Sequence, residues 1–121
     1  MRNLILSILY VLVGSGVAIC AHATTADAVG TVGYLQQDTT NDGSSTETFQ
    51  FTLSPQPTVS CGPFNRFLVS PQSIPDAQTR KNLLALLLTA KTAGLTLQVR
   101  YDPDGGHCDQ GMIAVFYIVM L

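Results

Sequence analysis

Short apolar runs with a period of two, dense Pro, Gly and Asn/Asp punctuation, and one segment of helical spacing predict a mostly β domain with a single helix, wrapped as a small barrel. The first strand is expected over Ala28–Gln36, where Val29, Val32, Tyr34 and Leu35 fall in a mixed run. A polar turn follows over Asp38–Ser45, whose Asn, Asp and Gly residues supply turn geometry. From Glu47 to Ser54, Phe49, Phe51 and Leu53 alternate with Thr48, Gln50 and Thr52, the pattern of a half-buried strand that Pro55 and Pro57 end. Arg66–Ser70 is a third, short strand closed by Pro71. A helix comes next: Ser73 with Asp76 three residues on resembles a capping box, Pro75 fits a first turn, and Gly94 stands where a left-handed cap belongs. Ala77, Leu83, Leu84, Leu87 and Leu88 form its apolar face, and Arg80, Lys81 and Lys91 mark its wet side. With so few cations, that face is expected to cover the sheet rather than a membrane. Leu95, Leu97, Val99 and Tyr101 then alternate with polar residues in a fourth strand, and Asp102-Pro103-Asp104-Gly105-Gly106 reverses the chain. Met112–Leu121 carries no charge and reads as one last strand, which has to be central, enclosed or at a subunit interface to avoid an aggregating edge.

Residues 1–23 have the order of a secretory signal peptide: Arg2 near the start, an apolar run from Leu4 to Cys20, and Ala21-His22-Ala23 before Thr24. The run is broken by Gly14, Ser15 and Gly16 and is short for a membrane span, and the bulky Ile19 before Cys20 argues against a lipid-anchored cysteine. Cleavage after Ala23 leaves a single domain over 24–121, secreted or periplasmic, with no membrane span. Arg2 leaves with the leader, so five cations face eight acids and nucleic acid is excluded as a partner. Cys20 leaves too, and the remaining pair, Cys61 and Cys108, is expected to form a disulfide in an oxidising compartment.

Catalytic and metal signatures are weak. Asp102, Asp104, His107 and Asp109 lie close in sequence, but a calcium loop of the EF-hand type would need a bidentate Glu where Ile113 stands, so the stretch reads as a hairpin turn. His107 is the only His after cleavage and no nucleophile sits in a recognisable elbow, so neither an enzyme nor a cofactor is expected. Tyr34, Tyr101 and Asp102, with the hydroxyl-rich Thr39–Thr46 loop, are the candidates for a ligand face, because sugar rings stack on aromatic faces and polar loops supply hydrogen bonds.

Three strands, a covering helix and two further strands is the element order of an OB-fold-like small barrel. The leucine-rich helix through Thr92-Ala93-Gly94, then Leu97-Gln98-Val99-Arg100-Tyr101-Asp102-Pro103, a Cys and a closing apolar strand resemble the B subunits of subtilase cytotoxin and related small exported proteins. The resemblance covers most of the mature chain in element order, with its specific match in the last third. It implies a homo-oligomer, a pentamer, of OB-fold subunits that bind sialylated glycans on host cells beside a separate catalytic subunit. Tyr101 falls on the family's sugar-contacting Tyr, whereas Val29 stands where the family carries a Ser before the Gly of the first strand. The expected function is a non-catalytic binding module for a glycan or cell-surface receptor. The alternative is a periplasmic structural or inhibitor protein that binds another protein through an exposed strand or helix.

Overall fold

A computed structural model describes residues 24–38 and 48–121. The leader expected over 1–23 and the polar loop over 39–47 lie outside the described residues. Seven strands and one helix follow in the order β1 (Ala26–Asp38), β2 (Thr48–Ser54), β3 (Phe67–Val69), α1 (Ala77–Ala93), β4 (Thr96–Tyr101), β5 (Cys108–Asp109), β6 (Met112–Ala114) and β7 (Tyr117–Met120). The fold is mostly β with one helix, a curled sheet of order β5-β6-β3-β2-β1-β4-β7 in the form of a small barrel.

The long strand β1 makes the curl. Its first half, Ala26–Thr31, pairs antiparallel with β4, and its second half, Thr31–Asp38, pairs antiparallel with β2. Between Val32 and Leu35 it carries one residue more than the facing stretch Phe51–Leu53, a bulge at which the Tyr34 amide donates to the Thr52 hydroxyl at 2.9 Å. A bulge bends its strand and raises the local twist, which turns β1 from one wall into the next.

The last strand expected from the sequence is two. Asp109 pairs with Met112 across Gln110 and Gly111, both at positive φ (51° and 74°), a tight hairpin turn that adds the unforeseen β5. Met112–Ala114 runs parallel to β3, and after Val115 and Phe116 the chain runs antiparallel to β4 as β7. One continuous segment thus pairs with both ends of the β3-β2-β1-β4 ribbon and brings the wall round on itself. Val115 and Ile118 point into the core, whereas Val119, Met120 and Leu121 are exposed at the β7 edge.

Phe49, Phe51, Phe67, Leu97, Val99, Ile113 and Val115 fill the interior, with Phe51 stacked on Phe67 at 5.2 Å between ring centroids. Helix α1 closes one side with Leu87 and Ala90 fully buried and Leu83, Leu84 and Leu86 packed against the core. Its N-cap is Asp76, not Ser73: the Asp76 carboxylate accepts from the Thr79 amide at 2.7 Å and the Thr79 hydroxyl at 2.6 Å. Gly94 ends it at φ 66° as expected. Two faces differ from the sequence reading. Leu88 points outward, and Arg80, placed on the wet side, is buried because its guanidinium folds back to donate to the Ile74 and Pro75 carbonyls at 2.7 and 2.8 Å. Those loop carbonyls need donors, and the long aliphatic stem of Arg80 covers apolar surface on the way.

The expected disulfide is present between Cys61 and Cys108, with Cα atoms 5.4 Å apart. It ties the loop before β3 to β5. No helix among the described residues is long and apolar enough to cross a membrane.

Candidate functional site

Two recesses flank the end of β4, and each holds one residue that the sequence singled out. In the first, Tyr101 ends β4 opposite Ala26, its ring in edge contact with Phe67 at 5.7 Å. It lines a recess of about 210 Å³ with Asp27, Ala28, Val29, Pro55, Gln56 and Pro57. Next to the recess, a Cβ on Gly30 would stand 2.6 Å from the Ser54 carbonyl oxygen, so only glycine lets β1 approach the Ser54–Pro55 segment this closely. Gln56 accepts from the Leu53 amide at 2.7 Å through Oε1, and its buried Nε2 has no hydrogen-bond partner. A buried donor without an acceptor is costly. Asp27 accepts from Arg100 through both oxygens, at 2.8 Å each, and Arg100 lies over the Tyr117 ring at 4.7 Å.

The second recess is larger, about 340 Å³, and opens between the loop that precedes α1 and the β5–β7 segment. Behind it, Asp102 is buried at the end of β4, accepting from the Asp104 amide at 2.9 Å and lying 2.8 Å from His107 Nδ1. The His107 and Asp104 hydrogen bonds hold the Asp102 carboxyl below its usual range, so it is ionised at neutral pH and Nδ1 of His107 carries the proton donated to it. Gly106 makes room for this contact, since a Cβ there would lie 2.6 Å from Asp102 Oδ2. The imidazole meets the Phe116 ring edge-on at 5.1 Å. Among the described residues, no three His, Cys, Asp or Glu side chains gather as a metal site; Asp102 makes an Asx turn instead.

Tyr34 belongs to neither recess. It stands at the β1 bulge with the Arg66 guanidinium 4.4 Å over its ring, and Arg66 also lies 5.4 Å from the Phe64 ring centre. The three ligand candidates therefore sit in three places: Tyr101 in the smaller recess, Asp102 behind the larger one, and Tyr34 on the outer surface. Asp27, Gln56 and Phe116 were not foreseen, because an Asp on a strand and a Gln between prolines carry no signal until pairing brings them to a wall; Asp109 was read only as part of a hairpin turn.

No protein-family model, curated protein or solved structure matches this chain.

Three carboxylates link this geometry to pH. Asp27 is lowered chiefly by its Arg100 hydrogen bond, Asp76 by Thr79 and Asp102 by His107. Each has a folded pKa below its unfolded one, so the stability it contributes is present above the unfolded value and is lost as pH falls through the folded value. Urea titrations are expected to show a midpoint that is steady down to about pH 5 and declines below about pH 4. In Asp102→Asn the decline is expected to be shallower, because one of the three contributions is gone.

Proposed function

We propose that the protein is a secreted or periplasmic, non-catalytic binding module that takes a glycan in the Tyr101 recess. The observation that carries this reading is the unpartnered Gln56 Nε2 beside Asp27 and Tyr101. A sugar hydroxyl both donates and accepts, so it suits a wall that offers an amide donor and a carboxylate acceptor together. Pro55, Pro57 and Val29 supply apolar surface for the C–H face of the ring. Neutral sugars suit this wall better than sialylated ones. Asp27 lines it, Arg100 is committed to Asp27, and Val29 replaces the hydroxyl that the resembling toxin subunits carry.

The same resemblance extends the proposal to a pentamer that carries a separate catalytic subunit. An apolar strip supports assembly: Val119, Met120 and Leu121 at the β7 edge are exposed, as is Leu88 on the helix. That strip also supports the second reading, a structural or inhibitor protein that docks through β7.

A glycan array of neutral and sialylated sugars, followed by titration of the best binder, separates the two. Tyr101→Phe keeps the packing on Phe67 and Gln56→Leu removes the amide; each is expected to weaken binding by about tenfold or more, which corresponds to about 1.4 kcal/mol. Absence of binding to any array sugar, or binding unchanged in both variants, would overturn the glycan reading.

A further inference from the structure

The larger recess has a chemistry different from that of the Tyr101 recess. Asp109 lines it, at 3% exposure, with Oδ2 accepting a short hydrogen bond from the Ser70 hydroxyl and Oδ1 without any partner. A carboxylate oxygen removed from water and left without a donor is among the costliest polar groups a fold can hold, and the open space beside Asp109 is this recess. His107 lines the same recess and is held through Nδ1 by Asp102, so Nε2 is its remaining ring nitrogen. Phe116 contributes a second favourable surface for positive charge: its ring is 37% exposed and lines the same recess. Among the described residues no Lys or Arg lines the recess, and Ser73, which does, has its hydroxyl engaged with the Ser70 carbonyl at 3.3 Å.

We infer that this recess is a second binding site, for a small primary ammonium ligand whose N–H groups reach Asp109 Oδ1 and whose apolar part lies on Phe116 and Ala114. An anion would meet the Asp109 carboxylate at the wall, with no Lys or Arg among the described lining residues to offset it. A neutral hydroxyl ligand would satisfy one oxygen but gain nothing from the charge or from the aromatic face. The volume is at the low end for small-molecule sites, which fits a compact amine rather than an extended chain. The recess is held open covalently, since Cys108, bridged to Cys61, sits between His107 and Asp109.

The test is a titration of the purified protein at neutral pH with benzylammonium chloride and, as an uncharged isostere, benzyl alcohol, followed by the proton resonances of His107 and Phe116. Saturable shifts with the ammonium, at least tenfold tighter than with the alcohol, are expected. Asp109→Asn keeps an acceptor for Ser70 and is expected to abolish that preference. Phe116→Ala changes an exposed side chain and is expected to weaken the ammonium several-fold. Thr89→Ala, on the exposed face of α1, is expected to leave benzylammonium binding unchanged. Equal binding of amine and alcohol by the unaltered protein would overturn the inference, and this comparison does not depend on any variant folding. So would a preference that survives in Asp109→Asn. A lysine-containing tripeptide that displaces benzylammonium with equal affinity would assign the recess to a protein partner and overturn the small-ligand inference.

Discussion

Replacing Cys61 and Cys108 together by Ser is expected to lower folding stability by about 3–4 kcal/mol, the loop-entropy contribution of a bridge of this span. The two residues are 47 apart in sequence, and the enclosed segment contains β3, α1 and β4. Without the link, the unfolded chain regains the freedom of that whole loop while the folded chain loses only one contact. At roughly 4–8 °C per kcal/mol for a domain of this size, the melting midpoint should fall by on the order of 20 °C. The recess around His107 should suffer as well, because Cys108 pins its wall. Thermal unfolding of the double variant beside the unaltered protein, with and without reductant, checks this. A midpoint that is insensitive both to reduction and to substitution would refute it.

A second large effect is expected from a single methyl group. Gly30→Ala places a Cβ 2.6 Å from the Ser54 carbonyl oxygen, 2.9 Å from its carbon and 3.3 Å from the Pro55 nitrogen. All three atoms are backbone, so no side chain can swing aside. Either β1 or the Ser54–Pro55 segment must move, and the expected cost is about 3 kcal/mol, at the upper end for overpacking. Since Pro55, Gln56 and Pro57 form one wall of the Tyr101 recess, sugar binding should fall with stability. Gly94→Ala is the control. It too sits at a glycine, yet its Cβ meets nothing within 4 Å, so only the left-handed backbone is penalised and the loss should be about 1 kcal/mol. Urea unfolding of both variants orders the two costs; a Gly30→Ala protein no less stable than Gly94→Ala would show that the segment yields freely.

How far the sequence foretells this fold depends on whether a signal is local. Strands β2 and β4 are legible because Phe49, Phe51 and Leu53, and Leu97, Val99 and Tyr101, alternate with polar residues, although on β2 the polar Thr48 and Gln50 are themselves buried. The helix is legible from its spacing and from Gly94. Its N-cap is misplaced at Ser73 because two candidate oxygens lie three residues apart; the Ser73 hydroxyl instead serves the Ser70 backbone, donating to its carbonyl and accepting from its amide. The break at Val115 and Phe116 is not legible, since nothing in an uncharged run from Met112 onward marks where it leaves β3 for β4. That turn is imposed by pairing with strands more than ten residues away. Arg80 is misread for the same reason: its burial depends on the Ile74 and Pro75 carbonyls, which only the folded loop presents.

The site follows the same division. The place of Tyr101 before Asp102-Pro103 makes it a ligand candidate, and the structure shows that it lines a recess; the Cys61 and Cys108 pairing is legible from the count of cysteines. Gln56 and Asp109 matter through what they lack, a partner for one buried atom each, and a vacancy of that kind exists only once the surrounding backbone is in place. The general rule is that residues acting through their own type can be read early, and residues acting through an unmet hydrogen bond cannot.

The way the last segment bridges β3 and β4 sets the order in which the chain can become committed to its fold. Until residues 112–120 dock, β3 has β2 on one side only and β4 has β1 on one side only, so any shorter N-terminal fragment carries two open strand edges and an uncovered aromatic interior. These contacts join residues far apart in sequence, and such pairings are made late and slowly. Residues 112–120 therefore supply the contacts that close the sheet, and a fragment that stops short of them leaves the outer edges of β3 and β4 unpaired.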